Sequence, residues 1–397
     1  MTRLVLGGAT IFDGTGADAA VADVAVEDGV IVDVGVGLDG DERVDLTGQG
    51  LLPGLIDCHV HVTASAVPRP ALLDVPLTYR FFQAARNLET TLASGITTVR
   101  DAAGADLGVK RAVDDGLVSG PRLQISVRMV SQTGGHADET QLCGLGPALM
   151  FPRYPGVPDT VVDGPLEARR AVRQLVRSGA DWIKVATTGG FSSPVSHPSQ
   201  PQLREDELAE IAAEAAAAER PVMAHAQGLA GVKNAVRAGF RSVEHGVWLD
   251  DEAVELMVAS GAWLVPTLLV PVWSRENGRP QPKFDLDATI AAHAESFRLA
   301  VSAGVRVAMG TDCGIVPHGE NQRELEQMVE RGLSPAQALA AATSSAAALL
   351  GLGDQVGAIE PSKRADLVVV DGDPLDVRGL RERIRAVYRD GVAVRQS

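Results

Sequence analysis

Two histidines, His59 and His61, are separated by a single residue at the end of the apolar stretch LIDCHVHV. Side chains alternate between the two faces of a β-strand, so residues two positions apart share a face. Both imidazoles would therefore converge on one point, where they could bind Zn²⁺ or a neighbouring first-row metal. The pair alone does not distinguish a metal site from a structural role.

Four further polar residues, Lys184, His225, His245 and Asp312, lie at the ends of other apolar stretches. Taken singly, each is better explained as a structural residue. Taken together, the six groups would be buried close to one another. Without a shared partner, their burial would cost several kcal/mol of folding free energy. A bound cation removes this cost, so the constellation predicts a metal site.

The stretches that carry these residues alternate with Ala-rich helical segments between residues 55 and 352. This alternation is typical of βαβ units. Eight strands followed by helices predict an α/β fold, a (β/α)8 TIM barrel whose active site lies at the carboxyl ends of the strands. The strand candidates are residues 54–62, 95–102, 122–128, 181–187, 221–227, 242–246, 262–268 and 306–313.

At both ends of the chain, apolar and polar residues alternate between turns that contain Gly and Asp, which is the pattern of β-hairpins. Neither end has enough strands to bury a core alone, so we expect them to pair. The predicted organisation is a small β-sandwich domain from residues 1–54 and 353–397, and a barrel from residues 55–352. A Gly/Pro-rich insertion from Gly134 to Pro165 is predicted to form a loop over the barrel mouth.

Composition restricts the partners and the compartment. The net charge of -15 and the lack of a Lys/Arg cluster argue against nucleic acid. Three scattered cysteines do not suit a disulfide framework, which favours a reducing compartment. The N-terminal segment does not read as a signal peptide, and no apolar run approaches about 18 residues. We expect a cytoplasmic protein that acts on a small molecule and does not enter a membrane.

The chain resembles the amidohydrolase superfamily over nearly its whole length, through LPGLIDCHVH, IKVATTGG, AHA, EHG, MGTDC and ADLVVVDGDP. The resemblance implies two divalent metal ions, for which Zn²⁺ is expected. An ammonium cannot bind a metal, but a desolvated lysine amine loses its proton readily, and its CO2 adduct is a carboxylate. The implied ligands are His59, His61 and Asp312 for the more buried metal, His225 and His245 for the more exposed one, and Lys184 as a carbamate for both.

The resemblance also implies hydrolysis of an amide-type C–N bond by a hydroxide held between the metals, with Asp312 as general base. Deaminases of the superfamily place a Glu three residues after the histidine of strand five, whereas this chain reads HAQGL and has no Glu there. The sequence therefore favours amide-type hydrolysis over deamination. The loops SQTGGHAD and TTGGFSSPVSHPSQPQLREDEL are similar to those of a subgroup of Xaa-Pro and Xaa-Arg/Lys dipeptidases, carboxypeptidase-like enzymes, ochratoxin-type amidases and phenylurea hydrolases. This subgroup commonly forms homo-oligomers, which we expect here too.

In that subgroup His136 would be catalytic, contacting the scissile carbonyl or a substrate carboxylate. Peptidase-like members often carry HAYG after strand five, with the Tyr binding a carboxylate, but this chain has Gln227. The substrate could therefore be a peptide, an N-acyl amino acid, a carbamate or a urea. The other predicted substrate-facing residues are Arg128, Tyr154 and His197, followed by Ser131, Gln132 and Ser192.

Two histidines, His293 and His318, have no motif around them and are expected to be structural. Three alternative functions remain: hydrolysis of a cyclic amide or lactone, ring opening like that of imidazolonepropionase, and a non-catalytic metal-binding scaffold. Lys184 argues against the imidazolonepropionase type, because it suits two metals better than one. The presence of all six ligands argues against the scaffold.

Overall fold

The computed structural model describes residues 2–67, 69–144, 146, 152–191, 193, 195–279 and 284–396. The chain begins with a set of short strands. Asp28 and Gly29 both have positive φ, 48° and 80°, which is the geometry of the tight turn that joins two antiparallel strands. The strands of this segment are β1 (Leu4–Ile11), β2 (Ala20–Glu27), β3 (Val30–Gly35), β4 (Glu42–Asp45) and β5 (Gln49–Pro53).

Strands and helices then alternate along the chain, and a strand begins within each of the eight predicted stretches. In the third stretch, Val127 has a φ of 62° and interrupts the extended backbone, so that one strand ends at Ile125 and another, short strand begins just beyond the stretch at Met129. The strands are β6 (Leu55–Val60), β7 (Ile96–Asp101), β8 (Arg122–Ile125), β9 (Met129–Val130), β10 (Ile183–Ala186), β11 (Val222–Ala226), β12 (Ser242–His245), β13 (Trp263–Val265) and β14 (Arg306–Val307).

The helices between these strands are mostly amphipathic, and their apolar faces are buried. Several have identifiable caps, such as the Ser334 side chain, which accepts a hydrogen bond from the Gln337 amide. The helices are α1 (Leu77–Ala93), α2 (Leu107–Asp114), α3 (Pro165–Arg177), α4 (Glu205–Ala217), α5 (Leu229–Arg237), α6 (Asp251–Ser260), α7 (Leu269–Glu276), α8 (Leu286–Ser302), α9 (Arg323–Glu330), α10 (Pro335–Ala341) and α11 (Ser344–Leu350).

The chain ends with β15 (Leu367–Asp371), α12 (Leu380–Arg383), β16 (Ile384–Arg389) and β17 (Val392–Gln396). These strands join the N-terminal ones in a mixed sheet of order β17-β16-β15-β5-β1-β2-β3, with β4 also on β1. Hydrogen bonds join all eight strands in this one sheet. Strand β1 pairs with β2 along one edge and with β4 and then β5 along the other.

The remaining strands form two parallel sheets, β6-β7-β8 and β9-β10-β11-β12-β13-β14. Strands β6, β7, β10, β11 and β12 are buried over their whole length, as expected for parallel strands covered on both faces. The fold is therefore α/β with mixed and parallel sheets. Within the described ranges, none of the helices combines the length and apolar character needed to cross a lipid bilayer.

Hydrogen bonds also join the first and last parallel strands. The Cys58 amide donates to the Met309 carbonyl over 2.9 Å, and the His61 amide donates to the Cys313 carbonyl over 2.7 Å. The regular ladder of β14 stops at Val307, earlier than predicted, but the chain that follows it continues alongside β6. The residues after β14 thus lie beside the end of β6, where the His-x-His pair is found.

Candidate metal centre

The two histidines of β6 and the residue after it face the carboxylate of Asp312. His59 Nε2 lies 3.8 Å and His61 Nε2 lies 3.2 Å from Asp312 Oδ1. On the other side of each ring, His59 Nδ1 bonds Glu244 Oε2 at 2.6 Å and His61 Nδ1 bonds the Ala103 carbonyl at 2.7 Å. Because these oxygens accept hydrogen bonds, they assign the Nδ1 protons and leave both Nε2 atoms facing Asp312.

The histidines of β11 and β12 complete the group. The rings of His225 and His245 are 4.7 Å apart, and the ring of His245 is 5.1 Å from that of His59. His225 Nε2 donates to the Gly189 carbonyl over 3.2 Å, which leaves Nδ1 as its available ligand atom. His245 Nδ1 lies 2.7 Å from the Thr267 hydroxyl. Four imidazoles from three strand ends therefore converge.

Backbone geometry at two of these residues departs from a regular strand. His245 has a φ of 76° and Asp312 a φ of 57°, in the left-handed region that non-glycine residues seldom adopt. Glu244 and His245 are neighbours, and in a regular strand they would face opposite ways, yet both contact His59. Such local strain is common at functional sites, where the surrounding structure maintains it.

Lys184 of β10 is fully buried, and its Nζ has no hydrogen-bond partner in the part of the chain that the structure describes. Burial lowers the pKa of this amine to about 8, because a desolvated ammonium is disfavoured. A buried amine without a partner is costly unless another group binds it. The position of Lys184 therefore fits a residue that is covalently modified or that binds a ligand.

The ionisation of most of the group suits a divalent metal, although contact with Asp312 raises the pKa of His61 despite its burial. Burial lowers the pKa of His59, His225 and His245 well below the usual value, so these imidazoles are neutral and able to bind a metal. Burial alone would raise the pKa of Asp312, but the bond to His61 and the charges around it hold that pKa below its usual value. Ligand atoms of His59, His245 and Asp312 lie within 4.8 Å of one another. Neutral imidazoles and an ionised carboxylate are the donors that Zn²⁺ prefers.

A cavity of about 650 Å³ opens onto these residues, a volume typical of small-molecule sites. Apolar side chains form much of its wall, and charged groups enter it from Arg80, Glu139 and Arg279. All six predicted ligands line it: His59, His61, Lys184, His225, His245 and Asp312. The structure thus brings together the whole constellation that the sequence singled out.

Two of the predicted substrate-facing residues also line the cavity. The ring of His136 stacks on that of His225, with centroids 4.0 Å apart and planes 13° apart. A Cβ at Gly190 would collide with this ring, so the second glycine of the TTGG motif makes room for His136. Gln227 is buried, and its Oε1 has no hydrogen-bond partner among the described residues. Both side chains can reach a molecule bound in the cavity.

Three predicted substrate contacts are not in the described lining of the cavity. Arg128 is buried next to the bend at Val127, and Tyr154 packs edge-to-face on Phe81. His197 is exposed, and its Nδ1 lies 2.7 Å from a serine hydroxyl two residues away. The roles of these three residues as substrate contacts remain predictions.

The weaker candidates Ser131 and Gln132 support loops: the Ser131 hydroxyl accepts a hydrogen bond from the Ala137 amide, and Gln132 Oε1 accepts one from Leu203. Ser192 lies outside the described residues. His293 and His318 are buried, and burial lowers the pKa of each to about 4. His293 nevertheless touches the site, since its Nε2 donates to the His245 carbonyl over 2.9 Å.

Sequence reasoning missed the buried residues behind the ligands. Glu244 bonds His59 and forms an ion pair with Arg100 at 2.8 Å, although no role was predicted for either residue. A signal was present, because Glu244 stands within the EHG motif beside His245. Two neighbours on one strand are expected to face opposite ways, and only the left-handed turn at His245 brings both to one place.

Comparisons with known proteins identify the family of the chain. The amidohydrolase family model matches residues 51–394. An ochratoxinase from Aspergillus niger is 34% identical over 397 aligned residues, which cover 92% of this chain and 80% of the relative.

Solved structures give the same result. A crystal structure of a Xaa-Pro dipeptidase with methionine bound in its active site superposes with a TM-score of 0.88 and 30% identity, covering 98% of this chain and 99% of the other. A prolidase complexed with N-methylphosphonate-L-proline superposes with a TM-score of 0.88 and 32% identity over 100% of both chains. The chain therefore belongs to the amidohydrolase family of hydrolases that act on carbon–nitrogen bonds.

Proposed function

We propose that this chain hydrolyses an amide-type C–N bond of a small peptide, N-acyl amino acid, carbamate or urea, with two Zn²⁺ ions as cofactors. The observation that carries the proposal is that all six predicted ligands line one cavity. When bound, the metals supply Lewis-acid polarisation of the scissile carbonyl and lower the pKa of water. The residues that would hold them are His59, His61 and Asp312 for one ion, His225 and His245 for the other, and Lys184 as a carbamate for both.

The same proposal includes a (β/α)8 barrel for residues 55–352 and a separate β-domain for residues 1–54 and 353–397. Three hydrogen bonds support closure of the barrel. The hydrogen bonds from Cys58 and His61 join β6 to the chain after β14, and the Trp182 amide donates to the Ile125 carbonyl across the gap between the two parallel sheets. Closure would place all strand ends in one ring around the cavity.

Asp312 is proposed as the group that moves the proton. Its side chain is 13% exposed, enough to be reached from the cavity, and Oδ1 faces the imidazoles of His59 and His61. Oδ1 would accept a proton from the attacking water and later deliver it to the leaving nitrogen, as general acid–base catalysis requires. The two imidazoles lower the pKa of Asp312, so the carboxylate begins the reaction without a proton.

The substrate is proposed to lie between His136 and Gln227. His136 would donate a hydrogen bond to the oxygen of the scissile carbonyl, held in place by its stacking on His225. Gln227 would bond a polar group of the substrate, which satisfies its unpartnered Oε1. The apolar wall of the cavity would bury the rest of the molecule and exclude water.

A substrate panel tests this function directly. N-acyl amino acids, dipeptides, phenylureas, carbamates and lactones are incubated with the Zn²⁺-loaded enzyme, and released amine is quantified. We expect turnover of at least one amide-type class and none of the lactones, with loss of activity after chelation. Release of ammonia from a heterocycle without amide cleavage, or turnover that survives chelation, would refute the proposal.

A Gln227→Tyr variant is expected to favour substrates with a free carboxylate, because a phenol can donate a hydrogen bond to a charged oxygen. Such a bond contributes about 1.5–3 kcal/mol, so KM for an N-acyl amino acid should be roughly tenfold or more lower for Gln227→Tyr than for Gln227→Phe. Gln227→Phe is the matched control, with the same ring and no hydroxyl. Equal KM values for the two variants would show that position 227 does not contact the carboxylate.

A further inference from the structure

A chain of buried polar contacts lies behind His59 and takes no part in the proposed ligand set. Glu244 Oε2 lies 2.6 Å from His59 Nδ1, while Oε1 accepts hydrogen bonds from Arg100 Nη2 at 2.8 Å and from the Ser242 hydroxyl at 2.5 Å. The side chains of Arg100 and Glu244 are both 0% exposed. Each carboxylate oxygen therefore has a defined partner in a fully buried site.

Arg100 is held on several sides. Its Nε donates to the Cys58 carbonyl over 2.6 Å, its Nη1 donates to Ser242 over 3.1 Å, and its guanidinium lies 4.4 Å from the centre of the Trp182 ring. Cys58 directly precedes His59. Arg100 therefore contacts the backbone of β6 next to His59 and, through Glu244, the His59 side chain. The position of the His59 ring depends on this arrangement.

Stability does not explain why a charged pair occupies this place. The solvation that two charges lose on burial can exceed the energy that their attraction returns, and apolar replacements of buried ion pairs are often neutral or stabilising. His59, moreover, bonds a carboxylate outside the ligand set. The outer partners of the other three ligand histidines are neutral oxygens of Ala103, Gly189 and Thr267.

We propose that Glu244 is a positioning residue that sets metal affinity through His59, and that Arg100 keeps Glu244 in place. The carboxylate holds the proton on Nδ1, leaves Nε2 as the ligand atom, fixes the ring plane and makes the imidazole a stronger donor. The inference rests on the metal site proposed above. Removal of such an outer partner commonly weakens metal affinity by about 10–100-fold.

The test measures Zn²⁺ affinity of the metal-free full-length protein by competition with a chromogenic chelator. Glu244→Gln alone leaves the Arg100 guanidinium buried without a countercharge, so two further variants are included. The double variant Arg100→Met with Glu244→Gln removes both charges. Glu244→Asp keeps the charge beside Arg100 but shortens the reach to His59. We expect each folded variant to bind Zn²⁺ about 10–100-fold more weakly than the wild type.

The matched control is Glu207→Gln, which alters another buried carboxylate, one that accepts hydrogen bonds from the amides of Gly164 and Arg204 on the outer helices. Its Zn²⁺ affinity should equal that of the wild type. Wild-type affinity in Glu244→Asp or in the double variant would overturn the inference while leaving the metal site intact. Failure of the wild type itself to bind Zn²⁺ would instead overturn the proposed function.

Discussion

Replacement of Lys184 by methionine is expected to abolish most hydrolysis and to reduce the metal content below two ions per chain. A carbamate on Lys184 would be the ligand shared by both metals, and methionine cannot form it. Loss of several kcal/mol of Lewis-acid stabilisation corresponds to at least about a 10³-fold fall in kcat/KM. The measurements are kcat/KM on the best substrate of the panel and metal content by elemental analysis.

The fold itself should survive this change. The Nζ of Lys184 has no hydrogen-bond partner among the described residues, so the replacement removes a buried polar atom without orphaning another. The thermal midpoint of metal-free Lys184→Met should therefore equal or exceed that of the metal-free wild type. Bicarbonate should speed reactivation of the metal-free wild type by Zn²⁺ and have no effect on the variant. Near-wild-type turnover by Lys184→Met would exclude the carbamate.

Asp312→Asn is expected to keep its metals and lose turnover. Asparagine retains the shape and one oxygen donor of aspartate, but it cannot accept the proton that the reaction moves. General acid–base catalysis contributes about 10²–10⁴-fold, so kcat should fall by about that factor. Parallel measurements of kcat and metal content separate the proton-transfer role from the ligand role.

The control for this variant is Asp181→Asn, which alters a carboxylate that pairs with Lys110 at 2.8 Å outside the described lining of the cavity. Its kcat should remain that of the wild type. An Asp312→Asn enzyme with a wild-type kcat would remove Asp312 from the mechanism. Loss of both metals would mean that its main role is to bind them.

The strands and the six polar residues could be predicted because they depend on local pattern. Apolar stretches of strand length that alternate with helical segments predict parallel strands. The carboxyl ends of parallel strands lie at one edge of the sheet. His59 and His61 share a face by simple alternation, and the other four residues follow from their place at strand ends. All six line the cavity that the structure contains.

What could not be predicted depends on backbone torsions and on long-range contacts. The left-handed φ of His245 and of Asp312 is imposed by surrounding packing, so no local pattern reveals it. The Glu244 carboxylate contacts Arg100 across 144 positions of the sequence.

The mixed sheet of the two chain ends shows the same limit. Alternation predicts strands, and it correctly indicated that both ends are β-rich, but it does not say which edges pair. Strand β1 pairs with three other strands, and this pairing connects the strands of the two chain ends. Edge pairing depends on the global path of the chain, for which hairpin patterning carries little information.

The central claim, a two-metal site built by these six residues, is tested most directly by anomalous diffraction at the zinc edge from crystals of the Zn²⁺-loaded protein. The account predicts two anomalous peaks, each about 2.0–2.2 Å from nitrogen or oxygen ligands. One should lie among His59, His61 and Asp312 and the other beside His225 and His245, with added density on Lys184 reaching both. A cavity with no anomalous peak at these residues, or with zinc bound only elsewhere on the protein, would contradict it.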